Sequence, residues 1–119
     1  MTDEQKNTID KFIDFWFQFL EQGKRTEEAK KKIDRNNFHK TRAEWLAERT
    51  YQVLIIQNIS TTLCELKKIF DIPMSFNLGQ FKPFYSIVKD NGFKSMNKET
   101  QINKIYHAME KAYKETHNG

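Results

Sequence analysis

Between Ile9 and Leu20 the chain carries Ile9, Phe12, Ile13, Phe15, Trp16, Phe17, Phe19 and Leu20, interrupted only by Asp10, Lys11, Asp14 and Gln18. At 100° per residue, the apolar side chains from Phe12 to Leu20 cover an arc of about 200°, against the roughly 100° stripe of an ordinary surface helix. A helix of this kind is either deeply buried or a partner interface. Its start is marked by Thr2-Asp-Glu-Gln5, a capping-box pattern. Asp3 and Glu4 stand where the helix dipole favours negative charge. Gly23 predicts a left-handed stop.

Composition narrows the fold class. The chain has 119 residues, which predicts a single domain over 1–119. Four Gly and two Pro are too few for an all-β fold with a turn every ten residues or so. One Cys excludes a disulfide scaffold. Ten Phe, with many Leu and Ile, exclude a disordered chain. No apolar run reaches the roughly 18 residues of a membrane span. The opening MTDEQKNTID lacks a basic n-region, so no secretory signal and a cytoplasmic location are expected. The expectation is an all-α, compact bundle of five or six helices.

Further along, Thr26-Glu-Glu caps a second segment that runs to about Arg35, and Asn36-Asn37 reads as a break. Thr41-Arg-Ala-Glu44 is a second capping-box pattern ahead of Trp45. From there to Gln57 the apolar residues fall nearly all round the wheel, as in a central helix. The run Val53 to Ile56 has strand composition, but no second strand is available to pair with it. Asn58-Ile-Ser60 reads as a connector, and Ser60 or Thr61 as the cap of a fourth helix. Pro73 ends that helix, since the residue before proline leaves the helical region. Ser75 or Asn77 caps a fifth, in which Pro83 predicts a late start or a kink. Asn91-Gly92 reads as its C-cap. The last helix is expected from about Asn97 to Glu115.

Signs of catalysis are weak. Cys64 has no histidine or basic setting to make it a thiolate. His39, His107 and His117 lack a partner at metal-ligand spacing. Gly23, Gly79, Gly92 and Gly119 are isolated, so no phosphate loop is present. Arg35-Asn-Asn-Phe-His39 resembles the Arg…His pair of small helical ribonucleases, one residue short of their usual minimum spacing. No enzyme activity, metal or cofactor is expected.

Charge placement is more informative than the net +4. Residues 1–22 are acidic, with five acids against two lysines, a balance of −3. Residues 24–42 hold eight basic residues against three acidic, a balance of +5. Residues 82–104 hold five against two, a balance of +3. Basic clusters on a helical domain are the electrostatic footprint of a nucleic-acid partner, although a solvated helix face has the same composition. In the first cluster, Lys30, Lys31, Lys32 and Arg35 are the candidate phosphate contacts.

The second basic stretch has helix-turn-helix proportions, with a pair of helices at about 60–90 joined by a turn at 71–75. Ser75, Asn77, Gln80 and Lys82 would then open the second helix, where base-reading residues belong. Lys67, Lys68 and Lys89 would hold phosphates. A plain αα-hairpin is the alternative. Residues 56–93 resemble the helix-turn-helix of small accessory proteins of conjugative plasmids, whose second helix carries a Leu…Ile-x-x-Ser-x-x-x-Phe-x-x-Tyr run. Ile72, Ser75, Phe81 and Tyr85 follow that pattern, with an insertion before Phe81 and with Pro83 outside it. The resemblance implies a DNA-binding accessory protein of a mobile element.

The expected function is therefore DNA binding, with DNA favoured over RNA, in an accessory or regulatory protein. A homodimer through the first helix, by Phe12, Phe15, Trp16 and Phe19, would suit a two-fold site. The alternative is a small protein-binding module, or an inhibitor of a nucleoprotein machine of the anti-CRISPR kind encoded by phages and plasmids. No membrane partner is expected.

Overall fold

The computed structural model describes residues 1–117. It is all helical, with no strand among the described residues. Four α-helices are present, α1 (Asp3–Lys31), α2 (Phe38–Ile69), α3 (Lys82–Val88) and α4 (Lys98–His117), with 3-10 turns at Leu78–Gln80 and Phe93–Ser95. The expected five or six helices become four because two boundaries read from the sequence lie inside continuous helices.

The first is Gly23. It lies within α1, which continues to Lys31. A glycine costs a helix about 1 kcal/mol. Here its neighbours Gln22 and Thr26 are buried against the rest of the 14–60 unit, which offsets that cost. Thr26 does not cap a new helix but donates its hydroxyl to the Gln22 carbonyl at 2.9 Å. The second boundary is Asn58-Ile-Ser60, which is helical within α2. Neither Asn nor Ser costs more than about 0.7 kcal/mol in a helix, and α2 contains no Gly or Pro to stop it. The second capping box is absent as well. Thr41 stands inside α2, one turn after its start at Phe38.

The chain divides into two compact units: Met1–Ile13 with Thr61–Gly119 (described to His117), and Asp14–Ser60. The first unit holds a conventional apolar core. Ile9, Phe12 and Ile13 of α1, Leu66 of α2, Phe84 of α3, and Ile105 and Met109 of α4 are all at most 2 % exposed. The rings of Phe12 and Phe84 lie 5.3 Å apart. Ion pairs at the rim join Lys11 to Glu65 (3.2 Å) and Lys98 to Asp10 (2.9 Å). The reciprocal capping box of α1 is formed as its sequence specifies. The Gln5 amide donates to Thr2 Oγ1 (3.1 Å), and the Thr2 amide donates to Gln5 Oε1 (2.9 Å).

The end of α2 is a Schellman motif. Ile72 N donates to the Lys67 carbonyl (2.8 Å) and Asp71 N to that of Lys68 (3.2 Å). Asp71 takes the left-handed position, with φ 55°. Ile72 is buried behind it, and Pro73 follows the stop already made. Between α2 and α3, residues 70–81 form an irregular segment with one 3-10 turn, in place of the tight turn and long second helix expected. Pro83 is taken in the first turn of α3, so this helix does start late. Gly92 has no left-handed φ, and α3 ends at Val88 without a glycine cap. The Asn97 side chain accepts from the Thr100 amide at 2.8 Å and starts α4.

The second unit is an antiparallel pair of helical segments, 14–31 of α1 and 38–60 of α2, joined by residues 32–37. Its fully buried side chains are polar. Among the described residues, the only buried side chains of 14–60 are Gln22 and Thr26.

Candidate nucleic-acid interface

The turn joining α1 to α2 concentrates the first basic cluster. Lys30 and Lys31 close the last turn of α1, where positive charge complements the helix dipole. The chain then leaves the helix through Lys32 N to the Glu28 carbonyl and Ile33 N to the Lys30 carbonyl. Half-buried Ile33 anchors the turn. Asp34, the one acid between Lys30 and Arg42, is occupied locally, its Oδ1 accepting from the Asn36 amide at 3.1 Å. The Asp34 amide donates to Thr41 Oγ1 at 3.1 Å, and the Thr41 hydroxyl donates to the Asn37 carbonyl at 2.8 Å. The threonine expected to cap a helix instead ties the turn to the first turn of α2.

These bonds fix a short loop from which the cations project. Lys30, Lys31, Lys32, Arg35, Lys40 and Arg42 are all exposed. The first turn of α2 contains no acid and carries His39 and Lys40. Positive side chains at the positive end of a helix are unfavourable, by about 0.3–1 kcal/mol each at low salt. Beside them the Phe38 ring is 47 % exposed and meets the His39 imidazole edge-on at 5.9 Å. Phe38, His39, Lys40 and Arg42 extend the four candidates read from the sequence. Lys40 and Arg42 already count toward the basic balance of residues 24–42, and the acid-free first turn of α2, which starts at Phe38 rather than Thr41, groups them with Phe38 and His39.

The second set of candidates is dispersed over the other unit. Lys67 is half-buried, and its Nζ donates to the carbonyls of Met74 (2.9 Å) and Phe76 (3.1 Å), so it holds the 70–77 segment in place. Lys68 is exposed on the last turn of α2. Ser75 and Asn77 lie in irregular backbone, Gln80 ends a 3-10 turn and Lys82 opens α3, so they do not share one helical face. Lys89 follows α3, with its Nζ 5.0 Å from the centre of the Tyr85 ring.

The aromatic candidates of the first helix divide between the two units. Phe12, expected on a partner face, is 1 % exposed and belongs to the core. Phe15, Trp16 and Phe19 are half-buried, with the Trp16 and Phe19 rings 5.5 Å apart. Cys64 is an exposed thiol on α2. Among the described residues no cluster of three or more His, Cys, Asp or Glu is placed to hold a metal. Among the described residues no helix is long and apolar enough to cross a membrane.

No family model, curated protein or solved structure matches this chain.

Proposed function

We propose that the protein is a DNA-binding accessory or regulatory protein that grips phosphates with the turn between α1 and α2. The observation that carries this reading is the acid-free, basic first turn of α2, set beside Lys30, Lys31, Lys32 and Arg35. A helix N-terminus offers backbone N–H groups and a positive dipole to an anion. Cations there repel one another in the free protein and are relieved by a phosphate backbone. The six exposed Lys and Arg side chains between Lys30 and Arg42 face a single acid, which is turned onto its own loop. Exposed Gln80 and Lys82 of the other unit are the second contact surface in this reading.

The test is fluorescence anisotropy with a labelled duplex, repeated over a salt series. The affinity should fall linearly on a log–log scale, by about 0.9 in slope per phosphate contacted. The double variant Lys31→Glu/Lys40→Glu should lose at least tenfold in affinity and flatten that slope by about 2. Lys82→Glu measures the share of the second surface. Absence of binding at low salt, or unchanged binding by the double variant, overturns the proposal. Tighter binding of an RNA duplex of the same length reassigns the ligand to RNA.

A further inference from the structure

Phe38, Arg42, Trp45 and Arg49 form one row on α2. Their spacings of four, three and four place them within an arc of about 60°, over a rise of about 16 Å along the helix. Aromatic ring and guanidinium alternate along the row. Phe38 is 47 % accessible, Arg42 and Arg49 are exposed, and Trp45 is half-buried.

The row contains no acid. Three and four positions from Arg42 stand Phe38, His39, Trp45 and Leu46, and the same distances from Arg49 stand Trp45, Leu46, Gln52 and Val53. Neither arginine therefore has a carboxylate of its own helix to pair with. Glu44 and Glu48 lie about 130° and 90° round the helix from the middle of the row, and Glu48 meets Gln22 instead. The Arg49 guanidinium lies over the Trp45 ring, 5.6 Å from its centre. A planar guanidinium held in this way stays stacked while its N–H donors remain available to an anion.

We propose that this row binds an unpaired DNA strand, with a base stacked on Phe38 and the adjoining phosphates held by Arg42 and Arg49. The proposal rests on the phosphate grip of the turn between α1 and α2, and it adds a choice between paired and unpaired DNA. Lysines and a helix N-terminus take the phosphates of either form. A ring takes a base only where the face of that base is free, which stacking within a duplex denies. An unpaired nucleotide joins a flat π face to a phosphate, and so matches a ring and a guanidinium one turn apart. A wholly apolar partner would leave the two arginines without an anion, and a duplex would leave the Phe38 ring uncovered. The row begins where the six exposed cations between Lys30 and Arg42 are gathered, so a strand held by the turn is delivered to it.

The test is fluorescence anisotropy with a labelled DNA strand of mixed sequence, about 12 nucleotides long, alone and annealed to its complement. The full chain should hold the single strand at least about fivefold more tightly than the duplex. Phe38→Leu, which keeps an apolar side chain but no ring, should lose about tenfold on the single strand and less than about twofold on the duplex. Phe38→Tyr should keep the wild-type affinity for both. Arg42→Lys/Arg49→Lys, which keeps both charges, should lose about fivefold on the single strand with its salt slope unchanged. Lack of binding of either form at low salt overturns the phosphate grip of the turn and this proposal together. Duplex binding as tight as that of the single strand, or Phe38→Leu binding as well as Phe38→Tyr, overturns this proposal alone. Should Phe38→Leu fail to fold, the double lysine variant decides, and its unchanged affinity for the single strand overturns the proposal.

Discussion

The side-chain amide of Gln22 in α1 donates to the backbone carbonyl of Glu48 in α2 at 3.0 Å, and it also contacts the Glu48 carboxylate. Gln22 is 7 % exposed, so this bridge is a largely buried link between the two helical segments of the 14–60 unit. Its partner is a main-chain oxygen, so the link fixes helix register without depending on the side chain at position 48.

Gln22→Ala should destabilise that unit by about 1–2 kcal/mol, the cost of a lost buried hydrogen bond and its unfilled volume. Amide exchange should accelerate in 14–60, and trypsin should cut sooner at Lys30 to Arg35. The exchange of Ile105 and Met109 amides, in the other unit's core, should be the control that stays protected.

Gly23→Ala should stabilise the protein by about 0.5–1 kcal/mol, because glycine is the costlier helix residue. The added Cβ would meet only Gln52 Nε2 at 3.8 Å, an ordinary contact. A rise in the denaturation midpoint with unchanged slope is the expected result. A fall would show that the backbones approach more closely at this position than that distance requires.

Asp71→Gly should also stabilise, by about 1 kcal/mol, since it removes the steric cost of a left-handed residue at the end of α2. The gain is reduced by loss of the exposed pair with His117 Nε2 at 3.5 Å. Asp71→Val should be worse than wild type, because a β-branched residue at φ 55° is strained. The order Gly, Asp, Val in thermal midpoint is the check.

Gln101→Leu should cost about 1–3 kcal/mol. Gln101 is 3 % exposed and donates to the Phe93 carbonyl at 2.9 Å, tying α4 to the 3-10 turn at Phe93–Ser95. Leucine fills a similar volume but leaves that buried carbonyl without its partner. Chemical denaturation is the measurement.

What the sequence made legible depended on how local the cause was. The Thr2–Gln5 capping box is made by side chains three residues apart, and it stands as read. The late start at Pro83 and the Asn97 start of α4 are equally local. Gly23, Thr26 and Asn58 to Ser60 were misleading because each offers less than about 1 kcal/mol toward breaking a helix. Packing of the 14–60 segments outweighs that. The basic cluster at 30–42 was visible as composition, but the first turn of α2 could not be seen to lack acids while its start was placed at Thr41. By periodicity the apolar arc of the first helix is one face. In the structure it is two, a buried part ending at Ile13 and a half-buried part beyond it, because the compact unit changes at that point in the helix.

The crowding of like charge around the first turn of α2 gives salt two opposite effects on one molecule. Added electrolyte screens Lys30, Lys31, Lys32, Arg35, Lys40 and Arg42 from one another. The free 14–60 unit should therefore melt at a higher temperature in concentrated salt than in dilute buffer. The same electrolyte competes for any polyanion that these side chains hold. A melting curve recorded with and without heparin should then show two lines of opposite slope against salt. The two lines should converge at the ionic strength at which the polyanion is no longer held, because a ligand that binds only the folded protein never lowers its melting temperature.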